Sequence, residues 1–166
     1  MSIDEDENVA SRAQDERIVA LHESIRRAFP AEPYSGKITS MDGDWPPELD
    51  DDEILYNALN GRRWTELPTH LLCAQPDGYE LLTDNAFVAF LPAWLMYSLE
   101  DLTQENEVRD FIVYSFSNTM RKFRCLNSDQ QRTVRSILLE FTERGTCALV
   151  RKLAAEAIAL IDRRRY

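Results

Sequence analysis

Hydrophobic residues recur at helical spacing over most of the chain. Ile18, Leu21, Ile25 and Phe29 lie on one stripe of a helix that Pro30 ends. Two similar patterns near the C-terminus predict a helix that ends at Gly145 and a last helix over residues 147–163. Their inward positions are Val134, Ile137, Leu138 and Phe141, and then Val150, Leu153, Ala154, Ala157, Ile158 and Ile161.

The segment 84–102 is apolar on both faces. Phe90, Leu91 and Trp94 mark one face, and small or apolar residues occupy much of the other. A helix of this kind belongs in the centre of a helical domain. Pro92 is expected to kink it or to begin its second half. The apolar run from 86 to 99 is shorter than the ~20 residues that cross a membrane.

Two segments are less regular. Residues 30–48 are rich in proline and acidic residues and predict a long loop, and a short helix is expected over 49–59. Residues 108–116 have helical spacing but also many strand formers, so a strand remains an alternative. Helix is favoured there because no partner strand is evident. Polar residues at expected N-caps are Thr65 or Thr69, Thr83, Thr103, and Ser128 with Gln131.

These patterns predict an all-α fold: a single compact domain of five to seven helices around the central helix 84–102. Residues 1–12 are predicted to form a flexible acidic leader because they hold almost no apolar side chains. Residues 13–166 are predicted to form the helical domain.

Charge is distributed unevenly along the 166 residues. Asp and Glu number 29 and Lys and Arg 19, so the net charge is −10, made of −16 over residues 1–110 and +6 over residues 111–166. The acidic total argues against general binding to nucleic acid. The two parts either neutralise each other within the fold, or the acidic stretch 42–53 recognises a basic partner.

The compartment follows from the N-terminus and the cysteines. The first residues are acidic and polar, unlike a secretory signal. Three widely spaced cysteines suggest neither a disulfide framework nor a zinc site. We therefore expect a cytoplasmic protein. The excess of 16 arginines over 3 lysines favours a bacterial source.

Two patterns resemble metal sites and fail on geometry. Asp42, Asp44, Asp50 and Glu53 fall at positions 1, 3, 9 and 12 of a calcium-loop count, but Pro47 occupies position 6, which needs glycine. His70 and Cys73 could supply two zinc ligands from one helix face, where a structural site needs four. No metal and no cofactor are expected.

The chain contains no phosphate-binding loop, dinucleotide fingerprint or nucleophile elbow. An enzyme or ligand-binding domain with a pocket between helices remains an alternative, and its candidate residues are His70, Tyr79, Arg62 and Arg63. The basic run 121–124, with Arg132 and Arg135, resembles a phosphate contact in composition, but we expect these groups to meet the acidic part of the chain.

Four segments occur in an informative order: 29–36, 57–67, 90–97 and 126–131. In this order they resemble an uncharacterised bacterial family of small all-α proteins, a domain of unknown function. The resemblance implies a compact helical fold and a bacterial source. It implies no catalytic residue.

Together these observations favour a non-catalytic, cytoplasmic protein-binding module, such as an immunity or antitoxin-like inhibitor of a basic effector protein. We expect no nucleic-acid or membrane partner. A homo-oligomeric structural protein is a further alternative. The candidate partner-binding residues are Asp42, Asp44, Trp45, Asp50, Asp51, Asp52, Glu53 and Trp64.

Overall fold

The computed structural model describes residues 3–40, 50–118 and 120–163. Side chains are described from residue 15 onward in the first range and from residue 51 onward in the second. The described residues form α1 (Ile3–Ala28), α2 (Asp50–Leu59), α3 (Thr69–Ala74), α4 (Asp84–Ser98), α5 (Glu107–Asn118), α6 (Ser128–Arg144) and α7 (Ala148–Asp162). Short 3₁₀ helices occupy Trp64–Glu66, Gly78–Leu81 and Lys122–Cys125. The all-α prediction is confirmed, and residues 108–116 are helical.

Helix α4 lies at the centre of the fold, as its apolar faces predict. Five large apolar side chains of this helix have no exposed surface: Phe87, Phe90, Leu91, Trp94 and Leu95. The helix packs against α1, α3, α5 and all three 3₁₀ helices. Pro92 lies inside it. The indole nitrogen of Trp94 donates a hydrogen bond to the Gln75 carbonyl at 3.0 Å, so the polar atom of this buried ring has a partner.

Helices α5, α6 and α7 pack around the C-terminal part of the core. Helix α6 contacts both α1 and α7, and α7 also contacts α5. The predicted stripe of α6, residues 134–141, places its four apolar members in the core with no exposed surface. The guanidinium of Arg135 donates two hydrogen bonds to Asp162 at 2.8 and 2.7 Å, which joins α6 to the end of α7.

The end of α4 differs from the prediction, because the helix stops at Ser98 instead of residue 102. Arg109 is fully buried and donates to the carbonyl oxygens of Ser98 and Glu100, both at 2.9 Å. It also donates to those of Gln104 at 3.1 Å and Asp101 at 3.2 Å. Asp101 has a positive φ of 33°, which turns the chain. Arg109 therefore satisfies carbonyls that a longer helix would have paired.

The capping box of α6 lies one residue earlier than predicted. The Asn127 side chain accepts from the backbone of Asp129 and Gln130, both at 3.0 Å, and the Gln130 side chain accepts from the Asn127 backbone. The prediction of Ser128 with Gln131 is wrong because both residues already lie inside the helix. Either register satisfies the same sequence rule.

Two other predicted caps are also wrong. Helix α5 begins after Asn106, whose side chain accepts from the Arg109 backbone at 3.1 Å, whereas Thr103 donates to the Asp101 carboxylate. Helix α3 begins after Pro68 without any side-chain cap. Neither Thr65 nor Thr69 has the predicted role.

Helix α1 ends at Ala28, in agreement with the predicted stop at Pro30. It begins at Ile3, so most of the predicted leader 1–12 is part of a helical backbone. Residues 30–40 contain no helix, and residues 41–49 of the predicted loop 30–48 lie outside the described residues.

Candidate partner-binding cleft

One wall of the cleft is formed where the 3₁₀ helix Gly78–Leu81 leads into α4. Thr83 is the N-cap of α4, as predicted, and its hydroxyl accepts from the Ala86 backbone at 3.4 Å. The same hydroxyl donates to the Lys37 carbonyl at 2.6 Å, and the Thr83 backbone donates to Ile38 at 2.8 Å. These bonds hold the segment before α2 against the start of α4.

The opposite wall is the 3₁₀ helix Lys122–Cys125. Lys122 is only 8% exposed, and its ammonium donates to the Leu82 carbonyl and lies 3.8 Å from the Asp84 carboxylate. It also lies 5.3 Å from the centre of the Phe87 ring. Burial lowers the pKa of Lys122, while Asp84 and Glu80 oppose this shift. The side chain thus joins the two walls, and most of its bonding capacity is used within the protein.

Between these walls lies a cavity of about 1010 Å³. Ser40 and Asp52 line it from the segments before and within α2, and Arg121 lines it beside Lys122. Helix α2 reaches this position because it packs against the 3₁₀ helix Gly78–Leu81. The cleft therefore combines residues from three separate parts of the chain.

Three carboxylates of the described residues line the cleft, and they have different environments. Asp84 is paired with Lys122. Glu80 is half-buried, and burial raises its pKa although Lys122 and Arg121 act in the opposite direction. Asp52 lies on α2 and is only 7% exposed. Among the described residues, the cleft is therefore lined by three carboxylates and two cationic side chains, Arg121 and Lys122.

The predicted site residues separate into three groups. Asp51 and Glu53 are exposed on α2, and Asp51 accepts a hydrogen bond from the Gln75 side chain at 2.7 Å. Asp52 faces the cleft beside them, and Asp50 begins the helix. The other three candidates, Asp42, Asp44 and Trp45, lie outside the described residues, and their contribution stays a prediction.

Trp64 does not fit the predicted role of an interface anchor. It is 5% exposed, and its indole nitrogen donates to the Phe29 carbonyl at 3.1 Å. This bond joins the 3₁₀ helix Trp64–Glu66 to the end of α1, 35 residues earlier in the chain. The expectation is corrected because a ring packed in the core has little surface left for a partner.

Sequence reasoning missed two cleft residues, Glu80 and Asp84, and did not identify the partners of Lys122. Asp84 was visible only as an acidic residue in the first turn of a helix, which usually complements the helix dipole. Lys122 lies 40 residues from its carbonyl partner Leu82, so no local pattern connects them. For Glu80 the available signal is a charged residue between two apolar neighbours, a pattern that indicates a position at the edge of the core.

The basic residues near the C-terminus pair partly as expected. Lys122 meets Asp84, a member of the acidic part of the chain. Arg132 pairs with Asp129 and Arg135 with Asp162, so these two arginines are neutralised within the C-terminal part. The expectation that both arginines meet the acidic part is wrong, because helix α6 brings nearer partners to them.

The candidate enzyme residues do not share one environment. Tyr79 is 1% exposed, and its ring packs edge-on against Trp94 with centroids 5.9 Å apart. Burial strongly raises the pKa of its phenol, an effect that the Ser115 side chain opposes. His70, Arg62 and Arg63 are exposed. A phenol within the core cannot face a substrate together with these surface groups.

The Cys125 thiol is not an activated nucleophile. Burial raises the pKa of Cys125, and the neighbouring Asp84 raises it further, so this thiol stays protonated at neutral pH. Cys73 is exposed, and its sulfur lies 3.0 Å from the Tyr97 hydroxyl. Among the described residues, no three His, Cys, Asp or Glu side chains come together as a metal site would require.

None of the described helices is both long enough and apolar enough to cross a membrane. Comparison with known proteins finds no family model, no curated protein and no solved structure that matches the chain. The resemblance to an uncharacterised bacterial family of all-α proteins therefore stays a prediction.

Proposed function

We propose that the protein is a non-catalytic binding module that captures a basic partner protein at the cleft between α4 and the 3₁₀ helix Lys122–Cys125. The observation that carries this proposal is the excess of carboxylates over cationic side chains, three against two, among the described residues that line the cleft. Asp52 is 7% exposed, and Glu80 is half-buried, which raises its pKa. A cationic group from a partner would supply the missing charge.

The surface beside the cleft supports the same conclusion. Asp51 and Glu53 are exposed on α2, next to Asp52, so a basic partner meets negative charge before it reaches the cleft. The net charge of −10 extends this attraction over longer distances. Complementary charge mainly accelerates association and selects partners, and it is weakened by salt.

The proposed biological role is an immunity or antitoxin-like inhibitor in the cytoplasm. A small acidic protein can inhibit a basic effector by covering the surface that the effector uses, and this role needs no catalytic group in the inhibitor. The separation of the candidate enzyme residues, with Tyr79 in the core and His70, Arg62 and Arg63 exposed, supports a binding role over an enzymatic one.

The test is affinity capture from the native cytoplasm, followed by identification of the partner and measurement of its binding to purified protein. The variant Asp51→Lys combined with Glu53→Lys reverses two exposed charges beside the cleft. The matched control reverses Glu23 on α1 and Glu156 on α7, which are also exposed. Light scattering of each protein alone excludes changes in self-association.

We expect one basic protein to be captured, and we expect its binding to weaken at least tenfold in the α2 variant and less than twofold in the control. Binding should also weaken as sodium chloride rises from 50 to 300 mM. Equal binding by the α2 variant and the control, or a partner that is not basic, would contradict the proposal.

A further inference from the structure

Helix α1 is held against two neighbours, α4 and α6, by contacts of different kinds. On the α6 side, the hydroxyl groups of Ser24 and Thr133 lie 3.0 Å apart and form a hydrogen bond. On the α4 side, the ring of His22 interacts with the backbone of Met96. An ionisable ring therefore lies in the contact between α1 and α4.

His22 carries a buried polar atom that has no partner. The side chain is partly buried, and its Nε2 atom is enclosed with no hydrogen-bond partner among the described residues. Protonation of the imidazole makes both ring nitrogens donors, so Nε2 would then be a charged N–H group without an acceptor. Burying an unpaired charge costs more free energy than burying an unpaired neutral group. The contact between α1 and α4 therefore favours the neutral ring.

The surroundings of His22 on α1 and α4 act in the same direction. Burial lowers the pKa of His22, Arg26 one turn later lowers it further, and the Met96 backbone opposes both effects. Arg26 and Met96 also line a cavity of about 290 Å³, together with Tyr97 and Glu100 at the end of α4. Because this cavity adjoins the contact between the two helices, a small separation would give the His22 ring access to water.

The charged groups of the other elements near α1 are already paired. On α6, the residues that line grooves shared with α1, or bond to it, form the pairs Asp129 with Arg132, Glu140 with Arg144, and Glu143 with Arg17 of α1. In the 3₁₀ helix Trp64–Glu66, which bonds to the end of α1, Glu66 pairs with Arg63. Among the described residues, Arg26 is therefore the charged group that acts on His22, and it repels a protonated ring.

We propose that His22 makes the contact between α1 and α4 acid-sensitive, so that protonation of its ring favours a state in which α1 has separated from α4. This property does not depend on the proposed function of the cleft. A separated ring regains the ordinary histidine pKa of about 6.5 and binds a proton more strongly than the packed ring. The contribution of His22 to the contact is therefore fully present above about pH 6.5 and is lost as the pH falls below that value.

The test is amide hydrogen exchange of the full-length, ¹⁵N-labelled protein at about pH 7.5 and about pH 5.0, with each rate corrected for the intrinsic effect of pH. We expect the equilibrium constant for opening of residues 18–28 to rise at least about threefold at the lower pH, relative to that of α7. In His22→Gln, which keeps a polar side chain that cannot be protonated, this rise should disappear. The matched control His70→Gln removes the exposed histidine of α3 and should leave the rise unchanged.

A second variant decides the result if His22→Gln does not fold. Arg26→Gln removes an exposed charge that repels the protonated ring, so the rise should fall to about half of that in the wild type. An undiminished rise in folded His22→Gln would overturn the proposal, as would an equal rise in every helix of the wild type. If only Arg26→Gln folds, an undiminished rise in that variant would overturn it.

Discussion

Arg109 provides the sharpest test of how the fold is held together. Its side chain has no exposed surface, and its hydrogen-bond acceptors among the described residues are all backbone carbonyls. It donates to four carbonyls at 2.9 to 3.2 Å, all in the segment 98–104 that follows α4. Burial lowers the pKa of Arg109, but a guanidinium remains charged at neutral pH. We consider the substitution Arg109→Met, which keeps the stem and removes every donor.

The expected cost follows from these bonds. Hydrogen bonds to charged groups contribute about 1.5–3 kcal/mol each, but the substitution also removes the cost of burying the charge. We therefore expect a net loss of about 3–5 kcal/mol in the free energy of unfolding, as for other broken buried networks. For a domain of this size the melting temperature should fall by roughly 6–20 °C. Arg109→Lys keeps the charge but has a shorter reach and should lose about half as much.

Urea unfolding followed by circular dichroism measures these differences. The matched control is Arg27→Met, a substitution on the exposed face of α1 that should change stability by less than about 0.5 kcal/mol. If Arg109→Met loses no more than this control, the carbonyl network does not stabilise the end of α4, and our explanation of why the helix stops at Ser98 is refuted.

Three further predictions concern the cleft and the caps. Lys122→Met should lower the free energy of unfolding by about 2 kcal/mol, because the ammonium joins the two walls of the cleft. Amide hydrogen exchange near Leu82 should become faster in this variant. Unchanged exchange there would contradict the prediction. Burial raises the pKa of Glu80, so ionisation of this group opposes folding, and Glu80→Gln should be more stable than the wild type at pH 7 by less than ~1 kcal/mol after screening. That advantage should shrink as pH falls through the raised pKa, because the wild type then becomes protonated as well; an advantage that grows in acid would contradict the sign. Asn127→Ala should lower the free energy of unfolding by about 1 kcal/mol, and Ser128→Ala should leave it almost unchanged, as measured by thermal unfolding. A larger loss for Ser128→Ala would show that Ser128 is the N-cap, as the sequence predicted.

The helices were predictable because their signals are local. The apolar spacing of α6 and the two apolar faces of α4 determine which side chains enter the core, and both helices have the buried faces that this spacing predicts. Boundaries were less predictable, since they depend on competing caps. Asn127 and Ser128 are adjacent residues that both suit an N-cap, and in the structure the Asn127 side chain accepts the capping hydrogen bonds.

The cleft was not predictable because its members meet only through tertiary contacts. Lys122 looked like part of a basic surface run, yet it is buried against a carbonyl 40 residues earlier. Trp64 looked like an exposed anchor because it follows two arginines, and its partner is the Phe29 carbonyl. The acidic stretch around Asp52 was recognisable from composition alone, whereas its proximity to Glu80 required the packing of α2.

The most direct test of the proposed role is hydrogen–deuterium exchange of the protein alone and saturated with its captured partner. We expect slower exchange in residues 78–85 and 120–125 and in the first turn of α2, with little change in α7. Protection confined to α6 and α7, with unchanged exchange around Glu80 and Lys122, would contradict the claim that the cleft is the partner-binding site.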